Sequence, residues 1–343
     1  MSDPLTSEAL NRVVTVPKTM QSAEPVKDDI CRILSLDGGG AKGFYTLGVL
    51  KEIEAMLGCP LHKRFDLVFG TSTGAIIAAL IALGHEIDEI HELYKKHVPT
   101  IMQATSATAK SAALAKLAKS VFNDTTFDAV KTGVGIVTTK WLQERPMIFK
   151  TSVAQAHGRA ASFKPGFGVS IGEAVQASCS AYPFFNRKSV TTGDGDTIEL
   201  IDGGYCANNP TLYAIADAVI AMKKARSDVR VVSIGVGEYP SPKRKRFSRG
   251  WWQDRYIDAM PGLYQSVELV QKTFEVNTRS LDQLRAILYK DIPTVRISQA
   301  YTEPVMATDL FEHDLAKLNI LRQRGRDSFA EHETTLKSFL GWA

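Results

Sequence analysis

The chain has 343 residues, 44% of them apolar, enough for a substantial core in one large domain or in a domain with an appended helical part. Its 41 basic and 37 acidic side chains leave a net charge of only +4, which argues against a dedicated nucleic-acid binder. Four cysteines (Cys31, Cys59, Cys179, Cys206) show no C-x-x-C spacing, so a reducing cytoplasm is expected, with neither a structural disulfide nor a metal site.

Residues 1–29 are polar, without an apolar core of signal-peptide type, and read as a flexible arm. The first strand is expected at 32–36 (RILSL). It is followed by DGGGAKG at 37–43 and an amphipathic helix over 44–57, where Leu47, Leu50, Ile53 and Leu57 keep helical spacing. At the carboxyl end of a parallel strand, where open α/β sheets place their sites, this glycine loop can offer backbone N–H donors to an oxygen. Lys42 adds positive charge beside it. Gly38, Gly40 and Gly43 also satisfy the dinucleotide pattern G-x-G-x-x-G, which asks for an acid at the end of the next strand. Asp66 is at about the right distance, but it begins that strand. The P-loop pattern is absent.

The next apolar run, 65–69, leads into GTSTG at 70–74 and a helix-like run at 75–83. This is the nucleophile-elbow pattern G-x-S-x-G, with Ser72 on the turn and Gly70 and Gly74 permitting close backbone approach. The following helix would aim free N–H groups and its positive end at the place where an oxyanion develops. The alternative is a Gly/Ser/Thr-rich loop that caps a core helix. The run 75–83 is also the longest apolar stretch, far short of the roughly 20 residues that span a bilayer, so any membrane contact would be peripheral.

Residues 96–145 change character. The Ala-rich stretch 105–122, with Lys110, Lys116 and Lys119, reads as a surface helix, a lid or a membrane contact. His85, His91 and His97 are spaced by six and do not share a helix face as metal ligands would. A strand is expected over 146–154 and another at 198–201, the latter ended by Asp202-Gly203-Gly204. Asn208, Asn209 and Pro210 then introduce a helix to about 225. Asp202 could accept the Ser72 proton directly if it came within hydrogen-bond reach, about 2.6–3.2 Å. A turn aspartate before two glycines is the other reading. Residues 229–236 (VRVVSIGV) form the clearest buried strand. Residues 241–255 hold Lys243, Arg244, Lys245, Arg246, Arg249 and Arg255 beside Trp251 and Trp252, which suits a solvated loop, an anionic membrane or a nucleotide. Beyond 237 the pattern is mostly helical, with a long run at 264–288.

An α/β-hydrolase orders its triad Ser, Asp or Glu, His. Ser72, Asp202 and His313 or His332 satisfy that order, but both histidines lie in charged, helix-like segments that suit a solvated surface. A non-catalytic or dinucleotide-dependent protein on the same scaffold is the remaining alternative.

DGGGAKG, GTSTG, the segment EAVQASCSAYPFF at 173–185 and the later DGG, in this order, resemble the patatin-like phospholipase family over roughly residues 30–240. The resemblance implies an α/β fold of three layers, α/β/α, with a central, mostly parallel sheet and additional C-terminal helices. Residues 30–240 would form the catalytic domain, with 96–145 as a lid and 241–343 as a mostly helical part packed on it. It implies a Ser–Asp dyad, Ser72 and Asp202, with no histidine, metal or cofactor. The oxyanion hole would come from Gly38, Gly39 and Gly40, supported by Asp37, Lys42, Gly43, Gly70, Gly74, Gly203 and Gly204. The whole chain is also similar to bacterial patatin-like effectors of anti-phage defence. That implies a membrane phospholipid substrate met at the inner face of the membrane and a cyclic dinucleotide activator whose site the sequence leaves unassigned. Homo-oligomerisation stays open.

Overall fold

A computed structural model describes residues 29–240 and 261–341. The chain opens with β1 (Cys31–Leu36), α1 (Gly43–Leu57), β2 (Leu67–Thr71) and α2 (Thr73–Leu83). Next come α3 (Ile87–Gln103), α4 (Ala107–Phe122), β3 (Gly133–Lys140), β4 (Arg145–Lys150) and α5 (Ile171–Ser178). The strands β5 (Lys188–Thr191) and β6 (Thr197–Asp202) precede two short helices, α6 (Gly204–Ala207) and α7 (Thr211–Ala216), and then β7 (Val229–Ile234). The long α8 (Pro261–Leu288), β8 (Thr294–Ile297), α9 (Leu315–Ala330) and α10 (Glu333–Phe339) complete the described part.

Among the described residues the strands form one eight-stranded sheet. The pairs β1–β2, β1–β7, β2–β3 and β7–β8 are parallel, whereas β3–β4, β3–β6 and β5–β6 are antiparallel. Side chains alternate across the two faces. Leu34 and Leu36 of β1, Val68 of β2, and Val232 and Ile234 of β7 enter one core, together with α1 to α5 and α9. Cys31 and Ile33, Leu67 and Phe69, and Val229 and Val231 enter the other, closed by Ala214 and Ile215 of α7 and by Ala218. Helices thus cover both faces, as expected of three α/β/α layers, and near-continuous apolar strands follow from burial on both sides.

The local structure departs from expectation in two places. The strand β3, at the junction of the parallel and antiparallel parts, falls in a stretch expected to hold a lid. The C-terminal part also adds one strand, β8, to the sheet beside β7. The helix after Pro210 is regular only to Ala216 and continues as a π turn, Asp217–Ala221. There Asp217 is 1% exposed and takes hydrogen bonds from Lys150 Nζ at 2.5 Å and Gln155 Nε2 at 2.9 Å. The arm at 1–29, apart from Asp29, and the basic-aromatic run at 241–255 lie outside the described residues.

The register of β3 positions the site. Residues 138–140 pair with both β4 and β6, so β6 occupies the edge opposite β4, which β2 also occupies further along. Thr71, the last residue of β2, faces Val137, and Asp202, the last residue of β6, faces Thr138. Two strands running in opposite directions therefore end head-on along one edge.

Candidate active site

Ser72 stands between β2 and α2 with φ 54° and ψ −123°, a left-handed conformation that costs a non-glycine residue of order 1–3 kcal/mol. The surroundings hold it there. Its N–H donates to Ser178 Oγ at 2.9 Å, and Ser178 Oγ donates to Val137 O at 2.6 Å. The flanking glycines are required by close approach. A Cβ on Gly70 would stand 2.2 Å from Gly74 O, and one on Gly74 would stand 2.4 Å from Leu36 O. The sharp turn thus lifts Ser72 Oγ off the sheet at the amino end of α2.

Asp202 is fully buried. Ser72 Oγ donates to its Oδ2 at 2.7 Å, and the N–H of Gly204 donates to its Oδ1 at 2.7 Å. Its backbone is held by Thr139 Oγ1, which donates to Asp202 O at 3.0 Å, and by its own N–H, which donates to Ser180 O at 3.0 Å. Burial pushes the carboxyl up to about 7, against the opposing pull of the Gly204 and Ser72 hydrogen bonds. That is the range in which a carboxylate can both take and return a proton near neutrality. A Cβ on Gly203 would meet Val137 O at 2.2 Å, so this glycine lets the chain turn beside β3.

The glycine loop divides its N–H groups between structure and site. Asp37 N–H donates to Ile234 O at 3.0 Å, Gly38 N–H to Asn208 O at 3.0 Å and Ala41 N–H to Leu310 O at 3.0 Å. Gly38, expected in the oxyanion hole, thus has its donor committed to the scaffold. No hydrogen bond among the described residues engages the N–H of Gly39 or Gly40, and both residues line the cavity that holds Ser72 and Asp202. Gly40 has φ 58°, and a Cβ there would stand 2.4 Å from Leu310 O. Gly43 opens α1 against Thr73, and Lys42 is turned away from the serine into a neighbouring cleft.

Above the dyad the cavity is apolar. Val98, Ile101 and Met102 of α3, Leu114 and Leu117 of α4, and Phe311 wall it. The Ala-rich stretch of the sequence is therefore the roof of this cavity, with Leu114 and Leu117 turned into it. Lys110 ties the roof down. Its amine donates to Met102 O at 2.6 Å and lies 4.9 Å from the centre of the Phe311 ring, and burial lowers it to about 8. The site offers an acyl chain an apolar slot, an ester carbon a hydroxyl paired with a base, and the carbonyl oxygen two free N–H donors.

No histidine lines this cavity among the described residues. His313 is bonded locally to Phe311 O at 3.2 Å and His332 to Ser328 O at 2.9 Å. Asp66 accepts from Arg32 N–H at 2.8 Å, so it braces the start of the sheet. Among the described residues no group of three or more His, Cys, Asp or Glu side chains could hold a metal ion, and no helix is long and apolar enough to cross a membrane. In the sequence Asn208 marks only a helix start and Ser178 only part of a motif, and Arg296 gives no sign of a part in the site. Arg296, on β8, grips Asp37 with Nη1 at 3.0 Å and Nη2 at 2.5 Å. A lone arginine in a four-residue strand gave no signal. Ser178 lies inside EAVQASCSAYPFF, where a serine ending a helix marked the place without revealing its partner.

A fold of three α/β/α layers with a serine elbow facing a buried aspartate defines the class of the protein. The family model "Patatin-like phospholipase" matches residues 34–215, and the chain belongs to that family as a lipid ester hydrolase. It is 64% identical over 316 residues to the cUMP-AMP-activated phospholipase of Escherichia coli, across 91% of this chain and 95% of that one. It is 28% identical over 242 residues to the cGAMP-activated phospholipase of Vibrio cholerae, across 62% of this chain and 65% of that one. It is also 30% identical to phospholipase A I of Arabidopsis thaliana, of whose length it spans only 24%.

Proposed function

We propose that this protein hydrolyses acyl esters of membrane phospholipids through a Ser72–Asp202 dyad, held in check until a cyclic dinucleotide binds. The observation that carries the chemistry is the 2.7 Å hydrogen bond from Ser72 Oγ to a fully buried Asp202 at the floor of an apolar slot. Asp202 takes the hydroxyl proton as Oγ attacks the ester carbon. The carbonyl oxygen, now an oxyanion, is held by Gly39 and Gly40 N–H, each such donor being worth about 10²–10³ in rate. Asp202 returns the proton to the leaving alcohol, and water then cleaves the acyl-serine by the same steps in reverse.

Regulation by a cyclic dinucleotide follows from the two bacterial relatives, named for activation by cUMP-AMP and by cGAMP. The setting that fits is anti-phage defence, with the enzyme in the cytoplasm meeting the inner face of the membrane peripherally. A phospholipase free in a cell endangers its own membrane, which is the reason for an off-state. A fluorophosphonate probe tests the dyad by labelling wild type and not Ser72→Ala. Release of fatty acid from phospholipid vesicles, with and without cUMP-AMP, tests the switch. Labelling with no effect of any cyclic dinucleotide would leave the hydrolase and remove its regulation.

A further inference from the structure

Behind the glycine loop, on the side away from Ser72, a second cleft lies between the ends of β1, β7 and β8 and the helix α8. Its charged walls are Asp37, Lys42, Glu238, Glu275, Arg279 and Arg296. Two of its cations are already matched. Arg296 is paired with Asp37, and Arg279 is paired with Glu238 at 2.6 Å. Lys42 is less closely held. It is 3% exposed, and its ion pair is a long one. The nearest carboxylate, Glu275 Oε1, stands 3.9 Å away and is also held by Gln271 Nε2 at 3.0 Å. Burial accordingly lowers the Lys42 amine below the usual lysine value, with Glu275 opposing. A buried ammonium held only by a distant carboxylate is poorly compensated, and an anionic oxygen placed against it would add a charged hydrogen bond. The free volume beside it is about 50 Å³, room for roughly four water-sized groups by the usual measure. That is room for one phosphate group.

The cleft is wired to the oxyanion loop. Asn277 Oδ1 of α8 accepts from Asn208 N–H at 2.8 Å, and Thr278 Oγ1 accepts from Asn208 Nδ2 at 2.8 Å. Asn208 in turn accepts from Gly38 N–H at 3.0 Å and donates through Nδ2 to Gly38 O at 3.2 Å. Its Oδ1 is buried without a donor, so the network carries an unfilled position. An anion at Lys42 would repel Glu275, which lies one turn before Thr278 on the same face of α8. The displacement would reach Gly38, and with it the adjoining Gly39 and Gly40, through Asn208.

We propose that this cleft receives one phosphodiester group of the activating cyclic dinucleotide, with Lys42 as its cation, and that α8 and Asn208 transmit its arrival to Gly39 and Gly40. The proposal rests on the activation reading above. Titration calorimetry of the full chain with cUMP-AMP and with cGAMP tests it. Lys42→Met keeps the buried stem and removes the charge, and it should weaken binding about tenfold or more, the worth of a charged hydrogen bond. Glu275→Gln removes the resident carboxylate that competes for Lys42. It should tighten binding severalfold, which loss of a merely structural contact would not do. Because Glu275 is partly exposed, that variant keeps the test open if Lys42→Met fails to fold. Wild-type binding that both variants reproduce would overturn the site and leave the activation intact. No binding of either nucleotide to wild type would overturn the activation itself. A raised KM for phospholipid in Lys42→Met, with nucleotide affinity unchanged, would make the cleft a lipid headgroup site and overturn the proposal.

Discussion

Thr71 and Asp202 face consecutive residues of one strand, Val137 and Thr138 of β3, although they arrive on strands of opposite direction. The residue after Thr71 is Ser72, so the serine and the aspartate meet because two strands stop against the same edge. The dyad spans 130 residues of sequence but a single register step of the sheet. Its geometry is thus a property of backbone pairing, not of a loop that must close.

Asp202→Asn separates catalysis from stability. Loss of the base should lower kcat by about 10²–10⁴. The same change should stabilise the fold at neutral pH. Burial raises the Asp202 carboxyl from 3.8 to about 7. As pH rises across that window, the unfolded chain releases the proton and the folded chain keeps it, so wild-type stability falls, and the deficit is full above pH 7. Asparagine has no such deficit. Thermal unfolding should show Asp202→Asn the more stable by up to a few kcal/mol at pH 8, with the gap closing toward pH 4. Equal stability at pH 8 would mean that the carboxylate is better solvated than its burial indicates.

The pH profile of the wild type follows from the same group. As the proposed base, Asp202 must be ionised, so kcat/KM should rise about tenfold per pH unit below 7 and level off above it. A short, soluble ester is the right substrate, because it keeps the charge of a lipid surface out of the measurement. With no histidine in the slot, a single ionisation should fit the ascending limb. A profile flat from pH 5 to 8 would place the titration of Asp202 outside the reaction.

What the sequence disclosed followed the reach of local rules. Ser72, Asp202 and the glycine loop were legible because each ends an apolar strand with residues that only a tight turn explains. The three layers were legible from near-continuous apolar strands. β3 was not. Its β-branched residues favour a strand, but Gly133 and Gly135 weaken that signal at its start. Gly135 leaves the space that the Phe69 ring occupies, 2.3 Å from where a Cβ would stand. That reason exists in the fold and not in the segment. Gly38 shows the same limit at the site, because only the position of Asn208 reveals that its N–H is already committed.

Arg296 and Asp37 fasten the start of the glycine loop to β8, and Arg296 Nη1 also donates to Ser233 Oγ at 2.8 Å. Arg296→Met would leave the Asp37 carboxylate buried without its partner, a loss of about 3–5 kcal/mol. Adding Asp37→Asn should recover part of it, since the unpaired charge is then gone. Urea unfolding of the four proteins in a double-mutant cycle measures the coupling. Additive losses would show that the two side chains contribute separately.

Chain length should be set by the roof. Met102, in the last turn of α3, walls the slot beside Val98 and Leu117 while remaining half-buried, so a larger side chain there can be accommodated without unfolding the core. Met102→Trp narrows the slot away from Ser72 and Asp202 and leaves the dyad untouched. Hydrolysis of an ester with a short acyl group should stay within about twofold of wild type. Turnover of a long-chain ester should fall at least tenfold, the rate equivalent of about 1.4 kcal/mol, because apolar chain that cannot enter remains in water. Paired assays on a butyryl and a palmitoyl ester read the difference directly. Equal losses on both would mean that the substitution disturbs Ser72 itself, and equal retention would place the acyl chain along another wall.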